Sequence, residues 1–294
     1  MAKRPEICAP ILVGVLLVAG CGTTLRPVDS TRVAAIDAQK PRDQAETFLA
    51  EWNAFLAANV DANGRLDYAA LHANADAIDR LYAQVAALSP DSHPEAFATE
   101  SERLAWWINA YNAATIYAVV QAYPIGSVLE VKPPSVFSWV DERGGFFVGQ
   151  RLVFGGEARS LYFVEKEILG ERFDDARYHF ALNCASLGCP VLPPEAFNPA
   201  ELDAQLDRET RAFLRREDAF RIDHATQTIW LSSLFDWYAK EYVRWMELEE
   251  GQPEAEVLDF VALHLEADTA QDLATVRGQY RVRFIDYDWS LNDR

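Results

Sequence analysis

The chain is short of positive charge. Against 45 aspartates and glutamates stand 27 lysines and arginines, a formal charge of -18 over 294 residues. A surface of that sign repels phosphate backbones, so no nucleic acid is expected as a partner. Cysteine is scarce: four residues, Cys8, Cys21, Cys184 and Cys189, with no Cys-x-x-Cys among them. No histidine pair with ligand spacing lies near them, which argues against a structural zinc site, and no metal or cofactor is expected. Internal repeats are absent, and so is regular alternation of strand and helix patterns, which disfavours a doubly wound parallel sheet. No apolar run is long enough for a stable membrane-spanning helix. Present instead are 50% hydrophobic residues, with eight Trp, eleven Tyr and sixteen Phe, enough for a well-packed globular core.

The beginning reads as an address. Lys3 and Arg4 precede an apolar run from Ala9 to Ala19, and small residues follow. That is the pattern of a secretory signal. Val18-Ala19-Gly20-Cys21 resembles the lipobox of bacterial lipoproteins, in which the Cys receives lipid. The expected order is therefore a lipoprotein signal peptide at 1–20, a lipidated tether at 21–44 and one domain at 45–294. With Gly22 after Cys21, the resemblance points to a bacterial cell envelope and an outer membrane facing the periplasm. The membrane partner would be reached through lipid on Cys21.

Apolar spacing of three and four places helices over Ala45 to Ala58, Asp76 to Ala87 and Glu100 to Ala122, the last stopped by Pro124. Asn63-Gly64 marks a turn. The segment Asn59 to Asp67 imitates the start of a calcium loop, but Ala70 stands where the bidentate Glu belongs, so a plain turn is expected. A hairpin is expected from Phe146 to Phe154 about Gly149-Gln150, then a short helix capped by Ser160. Tyr178 to Leu182 reads as a buried strand. Asn198-Pro199 opens a helix to about Arg215, and Phe220–Ile222 with Thr228–Leu231 forms a second hairpin. Helices from Ser233 to about Trp245 and from Pro253 to about Glu266 follow, and Tyr280 to Ile285 is a last strand with aromatics to bury. The fold class is α+β: a single domain with a helical N-terminal part packed on an antiparallel or mixed sheet.

Three groups of residues could carry chemistry. On a strand, His179, Ala181 and Asn183 share one face, and Cys184 meets His179 only if the chain bends at Asn183. A thiol at such a corner beside an imidazole suits nucleophilic catalysis. A Cys184–Cys189 disulfide with His179 bonded in the core is the competing reading, favoured by an oxidising compartment. On the long helix Asn109 and Asn112 share a face, and their amides must brace a loop or line a cleft, because a buried polar group left unpaired costs about 1–3 kcal/mol. The tail Phe284 to Asp293 either closes over a cleft or pins the chain end with Trp289.

Together, Trp107-Ile-Asn-Ala-Tyr-Asn-Ala113, Ser160-Leu161 with Val164-Glu165 and Ile168-Leu169, His179-Phe-Ala-Leu-Asn-Cys184, Cys189-Pro190 and Tyr287-Asp-Trp-Ser-Leu-Asn292 resemble the domain-of-unknown-function 547 family. The resemblance spans about Ala45 to Asp293. It departs at Lys166, where the family commonly has a His. It implies no agreed activity, but it draws Asn109, Asn112, Glu165, His179, Asn183, Cys184 and Ser186 into one expected cleft.

Two functions follow as expectations. In one, Cys184 is the nucleophile, His179 the base and Glu165 or Asn183 the orienting group of a thiol-dependent hydrolase or transferase acting on an envelope amide or ester. Asn109, Asn112 and Ser186 would bind its substrate. In the other, the Cys184–Cys189 pair is structural, and the cleft of a non-enzymatic lipoprotein binds a peptide, small thiol or partner protein. Thiol–disulfide exchange is a third, weaker expectation, since four residues separate the two Cys.

Overall fold

A computed structural model describes residues 30–37, 40–132 and 144–294. The signal segment, Cys8 and Cys21 lie outside the described residues, as does part of the stretch 21–44. Within that stretch, α1 (Ser30–Asp37) and the start of α2 (Pro41–Asn59) are helical. Arg32 of α1 pairs with Asp76 at 2.6 Å.

The first half is built around one buried helix. After α3 (Tyr68–Ala73) and α4 (Asp76–Ala87) comes α5 (Glu100–Ala122). Its start is a capping box: Thr99 Oγ1 accepts from the Glu102 backbone N–H, and Thr99 N–H donates to the Glu102 carboxylate. From Leu104 to Val120 every side chain of α5 is buried. A helix apolar nearly all round must be enclosed, and α2, α3, α4 and the helix after Ser160 enclose it. Each large apolar side chain hidden this way contributes roughly 1.5–3 kcal/mol.

The hairpin expected about Gly149-Gln150 lies further along. Strand β1 (Leu152–Phe154) pairs antiparallel with β2 (Glu157–Arg159), and the turn is Gly155-Gly156 with positive φ at both positions. A Gly-Gly pair reaches that backbone region more easily than Gly-Gln. Phe146 and Phe147 sit in the turn before β1. Ser160 Oγ accepts from Phe163 N and caps α6 (Leu161–Phe163), which widens into a π-helix over Val164–Gly170.

Tyr178 to Leu182 is not a strand. Ala176–Phe180 is a 3-10 helix whose start is held by Asp175 Oδ1 accepting from Arg177 N. The apolar run misled because this turn lies between two cores. Tyr178 and Leu182 belong to the one around α5, whereas Ala176 and Phe180 belong to a second. Burial on both sides gives the same pattern as a buried strand.

The second core lies among α7 (Leu202–Leu214), α8 (Leu234–Trp237), α9 (Ala239–Leu248), α10 (Val257–His264), α11 (Ala267–Val276) and a mixed sheet. In that sheet β3 (Phe220–Asp223) is antiparallel to β4 (Thr228–Ser232), and β5 (Arg281–Ile285) is parallel to β4. The class is thus α+β, with a helical N-terminal part. Strand β5 does pair, but its aromatic is not buried: Phe284 is 41% exposed. Three bridges then tie the tail to distant loops, Ser127 to Ser290, Ser186 to Leu291 and Leu66 to Asp293. At the calcium-like loop, Asp61 Oδ1 accepts from Asn63 N and Arg65 N, which builds the turn.

Candidate functional site

Cys184 sits at a corner made by amides. Asn112 on α5 accepts from Asn183 N at 2.8 Å and donates to Ala181 O at 2.9 Å. The Asn183 side chain accepts from Ala185 N at 2.9 Å, and Ala185 is bent into positive φ. The chain thus bends at Asn183. The two amides brace that bend, and both residues are about 1% exposed. Asn109 braces another loop, accepting from Trp52 Nε1 and Phe197 N while donating to Phe197 O.

The tail fixes the loop after the corner. Leu187 N donates to Ser290 O, Gly188 N to Asp288 O and Asn292 N to Ala185 O. Gly188 is needed for so close an approach, because a Cβ there would meet Asp288 N at 2.9 Å. The pairing brings the Tyr287 hydroxyl to 2.8 Å from Cys184 Sγ and 2.9 Å from Ser186 Oγ. Cys184 is joined to Cys189 in a disulfide. Cys189 is buried, and its Sγ accepts from Cys184 N at 2.9 Å.

Cys184 forms part of the wall of a cleft of about 390 Å³. Tyr111, Phe147, Tyr162, Trp237, Tyr238, Tyr287 and Trp289 supply its aromatic lining, with Glu165 and Lys166 as charged members. Both charged residues project from the π-helix, a widened turn that recurs at functional sites. Tyr111 donates to Glu165 at 3.5 Å, and Lys166 Nζ stands 3.9 Å from the Tyr238 ring centre. A larger hollow of about 620 Å³ is lined by Arg211, Arg215, His224 and their neighbours. Several of its polar side chains pair with one another, as in Arg215–Glu266 and His224–Asp272. It holds neither cysteine nor an aromatic wall, so the smaller cleft is the better candidate.

Among the described residues, His179 makes no hydrogen bond to Cys184 Sγ, whose partners are Ser186 and Tyr287. Its Nε2 donates to Glu241 at 2.7 Å, its ring stacks on Tyr238 at 3.8 Å between centres, and its side chain is 2% exposed. It therefore stands behind the aromatic wall rather than in it. Glu241 also accepts from Tyr178 at 2.6 Å and Lys166 at 2.8 Å. Burial works against the Glu241 charge, yet the bonds from His179, Lys166 and Tyr178 hold its carboxyl down to about 2. Burial, reinforced by the Glu165 charge, pushes Tyr111 and Tyr238 well above the usual phenol range, so both stay neutral donors.

Of the residues singled out from sequence, Cys184 and Glu165 line the cleft, and Ser186 touches it through Tyr287. Asn109, Asn112 and Asn183 act as braces. Sequence reasoning missed Glu241, Trp237 and Tyr238. The available signal was Trp237-Tyr238 with Glu241 one helical turn beyond, on a segment read as a single helix but broken at Tyr238.

No curated protein and no solved structure matches the chain. Residues 95–214, which carry Tyr111, Glu165, Lys166, His179 and both cysteines of the disulfide but not Glu241 or Tyr287, match the family described as Protein of unknown function, DUF547.

Proposed function

We propose that this protein is an exported lipoprotein, held by lipid on Cys21 at the outer membrane, whose aromatic cleft binds a peptide or small ligand without turning it over. One observation carries the reading. The cleft offers seven aromatic side chains and a Glu165–Lys166 pair, while its sulfur is engaged in a disulfide and its expected base, His179, is engaged with Glu241. Such a wall is suited to an aromatic or apolar group carrying a polar end, since aromatic contacts combine large area with ring-specific geometry. Trp237 and Trp289 are built-in reporters. Titration with short peptides containing Phe, Tyr or Trp should change their fluorescence saturably, and Trp237→Phe should remove part of that signal. If those peptides leave the fluorescence unchanged while the protein hydrolyses an amide or ester, and Cys184→Ser abolishes that turnover, binding without catalysis is the wrong reading.

The second reading, a thiol-dependent hydrolase or transferase, draws on the partial exposure of Cys184 in the same cleft and the Tyr287 hydroxyl 2.8 Å away. It requires reduction first, and a base other than His179. Activity that appears only after reduction would favour it.

A further inference from the structure

We infer that the Cys184–Cys189 disulfide is a thiol-exchange site of fixed polarity: a small thiol entering the aromatic cleft attacks Cys184 Sγ, and Cys189 is the sulfur that leaves. Exposure distinguishes the two sulfurs. Cys184 is half-buried and lines the cleft, whereas Cys189 is 4% exposed and does not line it. Exchange requires access to the attacked sulfur, and it runs faster when the departing sulfur is stabilised as a thiolate.

The surroundings of Cys189 supply that stabilisation. The backbone N–H of Cys184 points at Cys189 Sγ from 2.9 Å, a donor already in place for the negative charge that develops there. Arg216 donates to Cys189 O at 2.6 Å and to Leu187 O at 2.9 Å, so a guanidinium is fixed on the same loop, with Asp218 offsetting part of its charge. Once protonated, the Cys189 thiol has an acceptor too, because Leu182 O is 3.4 Å from its sulfur. Both forms of the leaving group therefore find partners without movement of the loop.

The step balances as an exchange. The incoming thiolate forms a bond to Cys184 Sγ, the Cys184–Cys189 bond breaks, and its electron pair goes to Cys189, which takes a proton from solvent. The incoming sulfur is oxidised and the Cys189 sulfur reduced, with no other oxidant or reductant. Return attack by Cys189 on the mixed disulfide restores the starting state. The inference shares the cleft with the binding reading, but its core claim, the polarity, stands on the two sulfurs alone.

The test uses the full chain in its oxidised form. Sulfite, a sulfur nucleophile, leaves a stable S-sulfonate on the attacked cysteine and a free thiol on the other. After acid quenching and alkylation of the thiol, fragmentation of the tryptic peptide 178–208 locates each group. The expected result is S-sulfonate on Cys184 over Cys189 by at least about tenfold, without denaturant. S-sulfonate on Cys189, an even split, or reaction only after unfolding would overturn the inference. A parallel comparison of benzyl mercaptan with 2-mercaptoethanol, each referenced to its rate on glutathione disulfide, should favour the aromatic thiol. Equal referenced rates together with Cys184 selectivity would uphold the polarity and count against the aromatic cleft as the ligand site.

Discussion

Glu241 is the charge on which three buried or half-buried side chains converge, and replacing it with Gln isolates what that charge contributes. In the folded protein the carboxyl is held at about 2, against an ordinary value of 4.5. A lowered folded value stabilises the protein above the unfolded value, and the benefit is lost as pH falls through the folded one. The window is therefore from about pH 4.5 down to about pH 2. At about 1.4 kcal/mol per pH unit the full difference is roughly 3–4 kcal/mol. The side chain is 26% exposed, and solvent screening trims the figure to about 2–3 kcal/mol. Glu241→Gln preserves shape and an acceptor for Tyr178, but it turns an amide toward the Lys166 ammonium or the His179 N–H. Urea unfolding of both proteins should show the variant less stable by about 2–3 kcal/mol at pH 7. Near pH 2.5 the gap should close to under about 1 kcal/mol. Other carboxylates, such as Asp91 and Asp259, are also held low by arginines, so the difference between the two proteins is the readout rather than the acid sensitivity of either. A gap that stays constant with pH would mean that shape, not charge, is what Glu241 supplies, and would refute the reasoning.

Asn112→Ala strips the Asn183 N–H and the Ala181 carbonyl of their buried partners; it should cost about 2–4 kcal/mol in denaturant unfolding, and a loss under about 1 kcal/mol would show that the corner at Cys184 is held by other contacts. Reducing the Cys184–Cys189 disulfide opens a loop spanning a sequence separation of five residues, so a stability loss of about 2 kcal/mol is expected from loop entropy, measured as a drop in urea midpoint with dithiothreitol against the oxidised protein. Trp237→Ala removes one cleft face and should weaken binding of an aromatic peptide about tenfold, equivalent to about 1.4 kcal/mol, as read by calorimetry.

How legible these features were depended on whether a pattern had one physical cause or two. The helices Asp76–Ala87 and Glu100–Ala122 have the bounds read from sequence, because an apolar period and a following proline, Pro90 for the first and Pro124 for the second, agree there. The Phe220–Ser232 hairpin agrees for the same reason. Agreement failed where burial came from two sides, as at Tyr178 to Leu182, since a strand and a turn wedged between cores bury the same residues. It failed again at Ala267–Val276, a helix whose polar faces hid the periodicity of Leu273 and Val276. At the site, the His179-to-Cys184 motif marked the right segment, but the strand reading carried no information about Glu241, which lies 62 residues beyond His179. Only the tertiary fold could reveal that the imidazole was engaged there. Asn109 and Asn112 were legible as amides that needed partners, and their partners are backbone groups of loops far along the chain.

The position of the cleft follows from the existence of two cores. Tyr111 and Phe147 belong to the core around α5, with Cys184 and Trp289 packed against it, while Leu234 belongs to the second, with Trp237, Tyr238 and Tyr287 packed against that one. Each core can close its own interior, but where the two meet, aromatic side chains from both must face each other, and flat rings tilted at unlike angles do not fill the seam. Trp237 stacks on Trp289 at 21°, whereas Tyr287 meets Trp237 at 44° and Trp289 at 50°. The space left over is the cleft. The segment that crosses the seam, from the 3-10 turn through Cys184 to Cys189, is also the one bonded to the tail that supplies Tyr287 and Trp289. A ligand lodged there would therefore touch both cores and the sulfur at once, and its binding energy would act on the junction between them. A disulfide placed at that junction, with the accessible sulfur facing the ligand, links the redox state of one bond to the wall of the cleft more directly than a disulfide inside either core could.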